Sequence, residues 1–155
     1  MISKEDFEKI KKIVKELFQK MTVEGEIEIL PLEGETLPIN LEVEDPQILI
    51  GEKGQTLFEI QHILKIIFRR EIPENFYVDL DINDYKKRKT EYLKEMARSV
   101  ADEVALTKEE KILSSMPAYE RRIIHLEIAE RHDVTSESIG EGPERRVVIK
   151  PLTPK

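Results

Sequence analysis

The chain has 155 residues, 39% hydrophobic and 37% charged, with no cysteine and a formal net charge of −7. That composition fits a globular protein of one ordinary domain or two small ones. It excludes disulfides, a thiolate metal site and a cysteine nucleophile, and it argues against coating nucleic acid by bulk attraction.

Residues 3–21 read as a helix, because Phe7, Ile10, Ile13, Val14, Leu17, Phe18 and Met21 recur at spacings of three and four. Ser3 is placed to cap its start, with Asp6 three residues on. "VEGEIEIL" alternates, with Val23, Ile27 and Ile29 on one side. "LPINLEV" alternates through Leu37, Ile39, Leu41 and Val43, which predicts an antiparallel pair turning at Glu33-Gly34. Asp45-Pro46 opens a short helix through Leu49. After "GEKG", the residues Leu57, Ile60, Ile63, Leu64, Ile67 and Phe68 predict a helix from Gln55 to Arg70. "FYVDLDI" is the next strand, with Phe76, Val78, Leu80 and Ile82 inward.

A long helix then runs from about Asp84 to Thr107, with Tyr92, Leu93, Met96, Ala97, Val100, Ala101 and Val104 as its stripe. "KILSS" is a candidate strand. Pro117 suits a helix start, and "AYERRIIHLEIAERH" keeps helical periodicity. "DVTSESIG" and "RRVVIKP" form a closing hairpin around Gly140, Gly142 and Pro143, and "PLTPK" reads as a loose tail. Charge shifts near "DINDYKKRK": residues 1–82 carry 10 Lys and Arg against 18 Asp and Glu, while residues 83–155 carry 15 against 14. No apolar run approaches the roughly 18 residues of a membrane span. The opening "MISKEDFEKIKK" lacks a secretory apolar core, so a cytoplasmic location is expected.

"LIGEKGQ" gains meaning from its neighbours. A glycine-bounded turn between two helices lets backbone approach backbone, and the amides of the following helix can receive phosphate. The order helix–strand–strand–helix–helix–strand resembles a type II KH domain, whose G-x-x-G loop grips about four nucleotides. The residues expected at RNA are Ile50, Gly51, Glu52, Lys53, Gly54 and Gln55. Glu52 would face the phosphate chain, at a cost of about 1 kcal/mol in water before screening, and Lys53 would offset it.

In "MPAYERRIIHLEIAE", Arg121 and His125 lie four apart on one helix face. This spacing resembles the motif of the R-three-H domain, and the hairpin "TSESIGEGPERRVVIKP" resembles the end of the same module in the bacterial Jag (SpoIIIJ-associated) family. There a KH domain is joined to an R-three-H domain by a helix beginning as "DYKKRKTEYL" does here. The resemblance covers roughly residues 1–152 and implies an α+β chain. A type II KH domain over 1–83 would precede a small α/β R-three-H domain over 84–155, with a linker helix at 84–107. Many Jag proteins carry a further N-terminal domain, and this chain starts directly at the KH helix, as a short or truncated form would.

Arg121, Arg122, His125, Arg145 and Arg146 are the candidate phosphate site of the second half. The planar guanidinium fork can give two hydrogen bonds to one phosphate, and His125 can add a donor or stack on a base. Strand alternation lets only one of Arg145 and Arg146 join Arg121. Lys87, Lys94 and Arg98 share a face of the linker helix and could extend a basic track. His62 and His132 read as structural or exposed. No catalytic constellation, cofactor fingerprint or metal-ligand set is found.

The expected function is single-stranded RNA binding without chemistry, with single-stranded DNA as a further ligand. The resemblance implies post-transcriptional regulation or RNA-chaperone behaviour linked to cell elongation, cell-wall synthesis or sporulation. It also implies a small stand-alone KH protein as a partner. The alternative is a protein-interaction scaffold, for which the acidic first half and Glu52 speak.

Overall fold

The computed structural model describes residues 1–152. The chain divides into two compact units, Met1–Lys86 and Lys87–Lys155.

The first unit runs α1 (Lys4–Lys20), β1 (Gly25–Ile29), β2 (Thr36–Val43), α2 (Gln47–Ile50), a 3-10 turn at Glu52–Gly54, α3 (Gln55–Glu71) and β3 (Tyr77–Ile82). Ser3 Oγ accepts from the Asp6 amide at 3.1 Å and donates to the Asp6 carboxylate at 2.8 Å, which fixes where α1 begins. Ile10, Val14 and Phe18 of α1 and Leu57, Ile60, Leu64 and Phe68 of α3 are buried. They pack with Leu37, Ile39, Leu41, Leu80 and Ile82 from the sheet, each fully buried side chain contributing about 1.5–3 kcal/mol. Pro73 follows the end of α3 and disfavours its continuation.

β1 pairs antiparallel with β2, from Gly25 opposite Val43 to Ile29 opposite Ile39. β3 pairs parallel with β2, from Thr36 opposite Tyr77 to Leu41 opposite Ile82. A parallel neighbour requires a crossover, and α2 and α3 form it. The sheet order is β1-β2-β3, and the whole is the type II KH arrangement. The Asn83 side chain extends the β2–β3 ladder: Oδ1 accepts from the Val43 amide at 2.9 Å and Nδ2 donates to the Val43 carbonyl at 2.8 Å. Asp81, only 7% exposed, accepts from the Ile82 and Lys86 amides at 2.8 and 3.0 Å, so its buried carboxylate tethers the start of the next helix.

Two residues expected on strands lie outside them. Val23 belongs to the turn leaving α1, where its amide donates to the Phe18 carbonyl at 2.9 Å. Phe76 precedes β3 and packs on Phe68, ring centroids 5.7 Å apart. In both cases hydrophobic contact with a helix imitates strand alternation.

The second unit comprises most of α4 (Tyr85–Thr107), then β4 (Lys111–Ile112), α5 (Ala118–Ala129), β5 (Val134–Ile139), a 3-10 turn at Gly142–Glu144 and β6 (Arg146–Pro151). Its antiparallel sheet has the order β4-β6-β5. Leu93, Ala97, Ala101 and Val104 of α4 bury against Ile124 and Ile128 of α5 and against Val134, Val147 and Ile149. Tyr92, expected on the α4 stripe, is instead 59% exposed, with Lys89 Nζ 5.7 Å from its ring centre. Of the expected tail, Pro151 closes β6 and the Leu152 amide donates to the Asp133 carbonyl at 2.9 Å. The rest of the tail lies outside the described residues.

Arg131 holds α4 to the turn after α5. It reaches Asp102 at 2.6 Å and Asp133 with two bonds at 2.9 and 2.7 Å. Hydrogen bonding to Arg131 lowers the Asp133 pKa to about 2. A depressed carboxylate stabilises the fold above its unfolded pKa and loses that contribution as pH falls through the folded value. Arg131→Gln is therefore expected to melt below the parent at neutral pH, with the difference fading as pH drops from about 4 towards 2. Melting curves of both proteins across that range check it, and a pH-independent difference would refute it.

Candidate nucleic-acid interface

The G-x-x-G loop is built from both sides. Leu49 and Ile50, each 8% exposed, anchor the short α2 in the core. Ile50, expected at RNA, thus gives its side chain to packing. The Gly51 amide donates to the Gln47 carbonyl at 2.9 Å and closes α2. Gly51 then turns at φ +72° and ψ −179°, a region essentially reserved for glycine. A β-carbon there would stand 2.2 Å from Thr56 Oγ1 and 2.9 Å from the Thr56 amide nitrogen. Gly54 is left-handed at φ +81°, with a would-be β-carbon 2.9 Å from the Tyr85 ring. Lys53 is also left-handed, at φ +54°.

Glu52, Lys53 and Gln55 are exposed at the tip. Gly54, at the N-terminus of α3, makes no side-chain cap, and the Gln55 amide donates back to the Glu52 carbonyl, so the first amide of α3 is already paired within the loop. Sequence reasoning passed over Ile48, which stands 83% exposed one turn before the loop. Lone exposed apolar residues are common, however, and sequence carries no signal for this one. Lys86, near the loop's supporting Phe58, lies 5.1 Å above that ring and bonds Gln61 at 2.6 Å and Asp79 at 2.7 Å.

In the second unit, a shallow cleft of about 420 Å³ is lined by Arg121, Arg122, His125, Leu126, Ser138 and Arg145, together with the small Ala118 and Ala129. None of the described lining residues is acidic. Met116 bonds the side chain of one arginine and the backbone of another. The Met116 carbonyl accepts from Arg121 Nη1 at 2.8 Å, and the Met116 amide donates to the Arg145 carbonyl at 3.2 Å. Arg145 Nη1 also donates to the Gly140 carbonyl at 2.7 Å. A guanidinium has five N–H donors, so each arginine keeps donors for a ligand.

Strand parity separates Arg145 from Arg146. Val147 and Ile149 face α5, so Arg146 at the start of β6 faces the other way. Its Nε donates to the Glu144 carbonyl at 3.0 Å. The structure therefore brings Arg121, Arg122, His125 and Arg145 together and leaves Arg146 outside.

Both His125 nitrogens are engaged, Nδ1 with Ser136 Oγ and Nε2 with Ser138 Oγ, each at 2.7 Å. Burial, then the charges of Arg121 and Arg145, hold the His125 pKa below its ordinary value. A protonated ring there would be poorly solvated and repelled. Ser136 and Ser138 went unnoticed in the sequence. Their S-x-S spacing puts both on one strand face, and that parity is the signal that could have found them.

On α4, Arg98 is bonded to Glu127 at 2.5 Å, and this pairing raises its pKa. Lys94 lies 3.9 Å from Glu91, and Lys87 is exposed. Lys94 and Arg98, expected to form part of a basic track, thus face carboxylates. His62 and His132 are exposed. No cluster of metal-ligating side chains occurs among the described residues, and none of their helices is long and apolar enough to cross a membrane.

Residues 91–151, which carry the arginine-lined cleft, match the R-three-H domain family. This part of the chain is an R-three-H domain. Beyond it, most of the chain is similar to curated proteins named RNA-binding protein KhpB. It is 36% identical over 129 residues to the one from Clostridium symbiosum, covering 83% of this chain and 58% of that protein. It is 35% identical over 111 residues to the one from Lactiplantibacillus plantarum, covering 72% and 34%. With the Bacillus subtilis protein it shares 32% over 116 residues, covering 74% and 56%. These relatives bear out the resemblance read from the motifs. The chain spans between one third and three fifths of their length. All three matches exceed the R-three-H domain in length, so the likeness reaches into the KH unit.

Proposed function

We propose that the chain binds single-stranded RNA without chemistry, its relatives being named RNA-binding proteins, and that single-stranded DNA is a further ligand. The observation that carries this reading is the R-three-H cleft, where Arg121, Arg122 and Arg145 converge beside His125 with no carboxylate among the described lining residues. Arginines beside apolar Leu126 and the two alanines suit a phosphate beside a sugar or base. The working division is a KH module over 1–83 and an R-three-H module over 84–155. The KH loop would hold the backbone at its exposed tip, Glu52 and Lys53, and the R-three-H cleft would take a phosphate of the same strand. By likeness to the Jag family, the cellular role is post-transcriptional regulation or RNA chaperoning in cell elongation, cell-wall synthesis or sporulation, in the cytoplasm and with a small KH protein as partner.

Binding of a ten-nucleotide polyuridylate at 50 and 200 mM salt tests the reading. Four phosphate contacts would lower affinity about fifty-fold between those concentrations. Absent or salt-indifferent binding would favour the protein-interaction scaffold. The loop is tested by charge. Lys53→Asp is expected to weaken binding several-fold at low salt and Glu52→Lys to strengthen it similarly, at about 1 kcal/mol per charge pair. Both sites are exposed, so melting should be unchanged. Parent-like affinity in both variants would remove the loop from the RNA site.

A further inference from the structure

We propose that Ser138 is the group through which His125 acts on a phosphate, its hydroxyl donating into the arginine cleft when His125 Nε2–H donates to Ser138 Oγ. This rests on the reading of that cleft as a phosphate site.

A neutral imidazole has one N–H and one lone pair. With a hydroxyl 2.7 Å from each ring nitrogen, one serine accepts from the ring while the other donates to it. The two arrangements are not equivalent, because Ser138 lines the cleft and Ser136 does not. With the proton on Nδ1, Ser138 spends its hydrogen on Nε2 and offers the cleft only lone pairs, which repel an anion. With the proton on Nε2, Ser138 accepts from the ring and its hydrogen is free to point between Arg121 and Arg145, while Ser136 donates to Nδ1. An anion in the cleft therefore selects the second arrangement.

Burial and the two arginines favour the neutral ring, so this choice of tautomer is open at pH 7.5. His125 is on this account a positioning residue. Both of its nitrogens are occupied, and it reaches the ligand by setting a hydroxyl.

The test uses the full chain, ten-nucleotide polyuridylate and nitrogen NMR of the His125 ring at pH 7.5. Adding the oligonucleotide to the parent is expected to shift the ring to the Nε2–H tautomer. Ser138→Ala is expected to weaken binding about tenfold, the loss of one hydrogen bond to a charged group, and Ser138→Thr to recover most of it. Ser136→Ala, which removes only the partner of Nδ1, is expected to cost about two- to threefold. A His125 tautomer unmoved by saturating oligonucleotide would overturn the proposal, and so would parent-like affinity in Ser138→Ala alongside a loss in Arg121→Ala. Parent-like affinity in both variants would instead remove the cleft from the RNA site, and the proposal with it.

Discussion

Gly51→Val is expected to lower the melting temperature markedly and to abolish the loop's contribution to RNA binding. The backbone at φ +72° and ψ −179° costs a side chain about 1–3 kcal/mol in strain, more for a β-branched one. Steric conflict adds to this. Thr56 Oγ1, at 2.2 Å, could rotate away, but Thr56 Cβ at 2.8 Å and its backbone nitrogen at 2.9 Å cannot move without displacing the first turn of α3. Together the two effects amount to about 3–5 kcal/mol, a large share of the roughly 5–15 kcal/mol a domain commonly has. Gly54→Val meets an aromatic ring edge at 2.9 Å, which can shift, so it should cost less stability while still weakening binding. Thermal melts of both variants with binding of the same oligonucleotide check this. Equal melting of Gly51→Val and the parent would disprove the loop geometry.

Arg121→Ala is expected to weaken RNA binding by about 1–3 kcal/mol, the worth of a charged hydrogen bond to phosphate. The loss should be alike for different RNA sequences, since a phosphate contact positions without reading bases. The salt slope should become shallower by about 0.7. Arg121 also braces the Met116 carbonyl at 2.8 Å, so the variant should lose about 0.5–1.5 kcal/mol of stability, and melts must accompany the binding curves. Arg121→Lys separates charge from shape. It should keep the salt slope but lose part of the affinity, because an ammonium lacks the planar fork. A folded Arg121→Ala protein with unchanged affinity and slope would leave Arg121 as a brace only.

Periodicity made the fold legible because burial imposes it: every third or fourth residue in α1 and α3, every second in β2. It misled at Val23 and Phe76, which are apolar for the sake of a neighbouring helix. The four-residue spacing placed Arg121 and His125 together, since one helix turn carries both. The choice between Arg145 and Arg146 needed the strand register, which sequence does not contain. Ser136 and Ser138 carry no hydrophobic signal, and the Glu127 that engages Arg98 lies 29 residues away, beyond any local pattern.

Met116, whose amide donates to the Arg145 carbonyl and whose carbonyl accepts from the Arg121 guanidinium, ties the Arg121 cation to the backbone from which Arg145 projects. A ligand entering such a preorganised site has little ordering to impose, so changes at Arg121 and Arg145 should appear chiefly in how fast RNA leaves. Residue 116 is also an internal reporter. Its amide hydrogen exchanges with solvent only when the bond to the Arg145 carbonyl opens, and an occupied cleft should slow that exchange even where no part of the RNA touches residue 116.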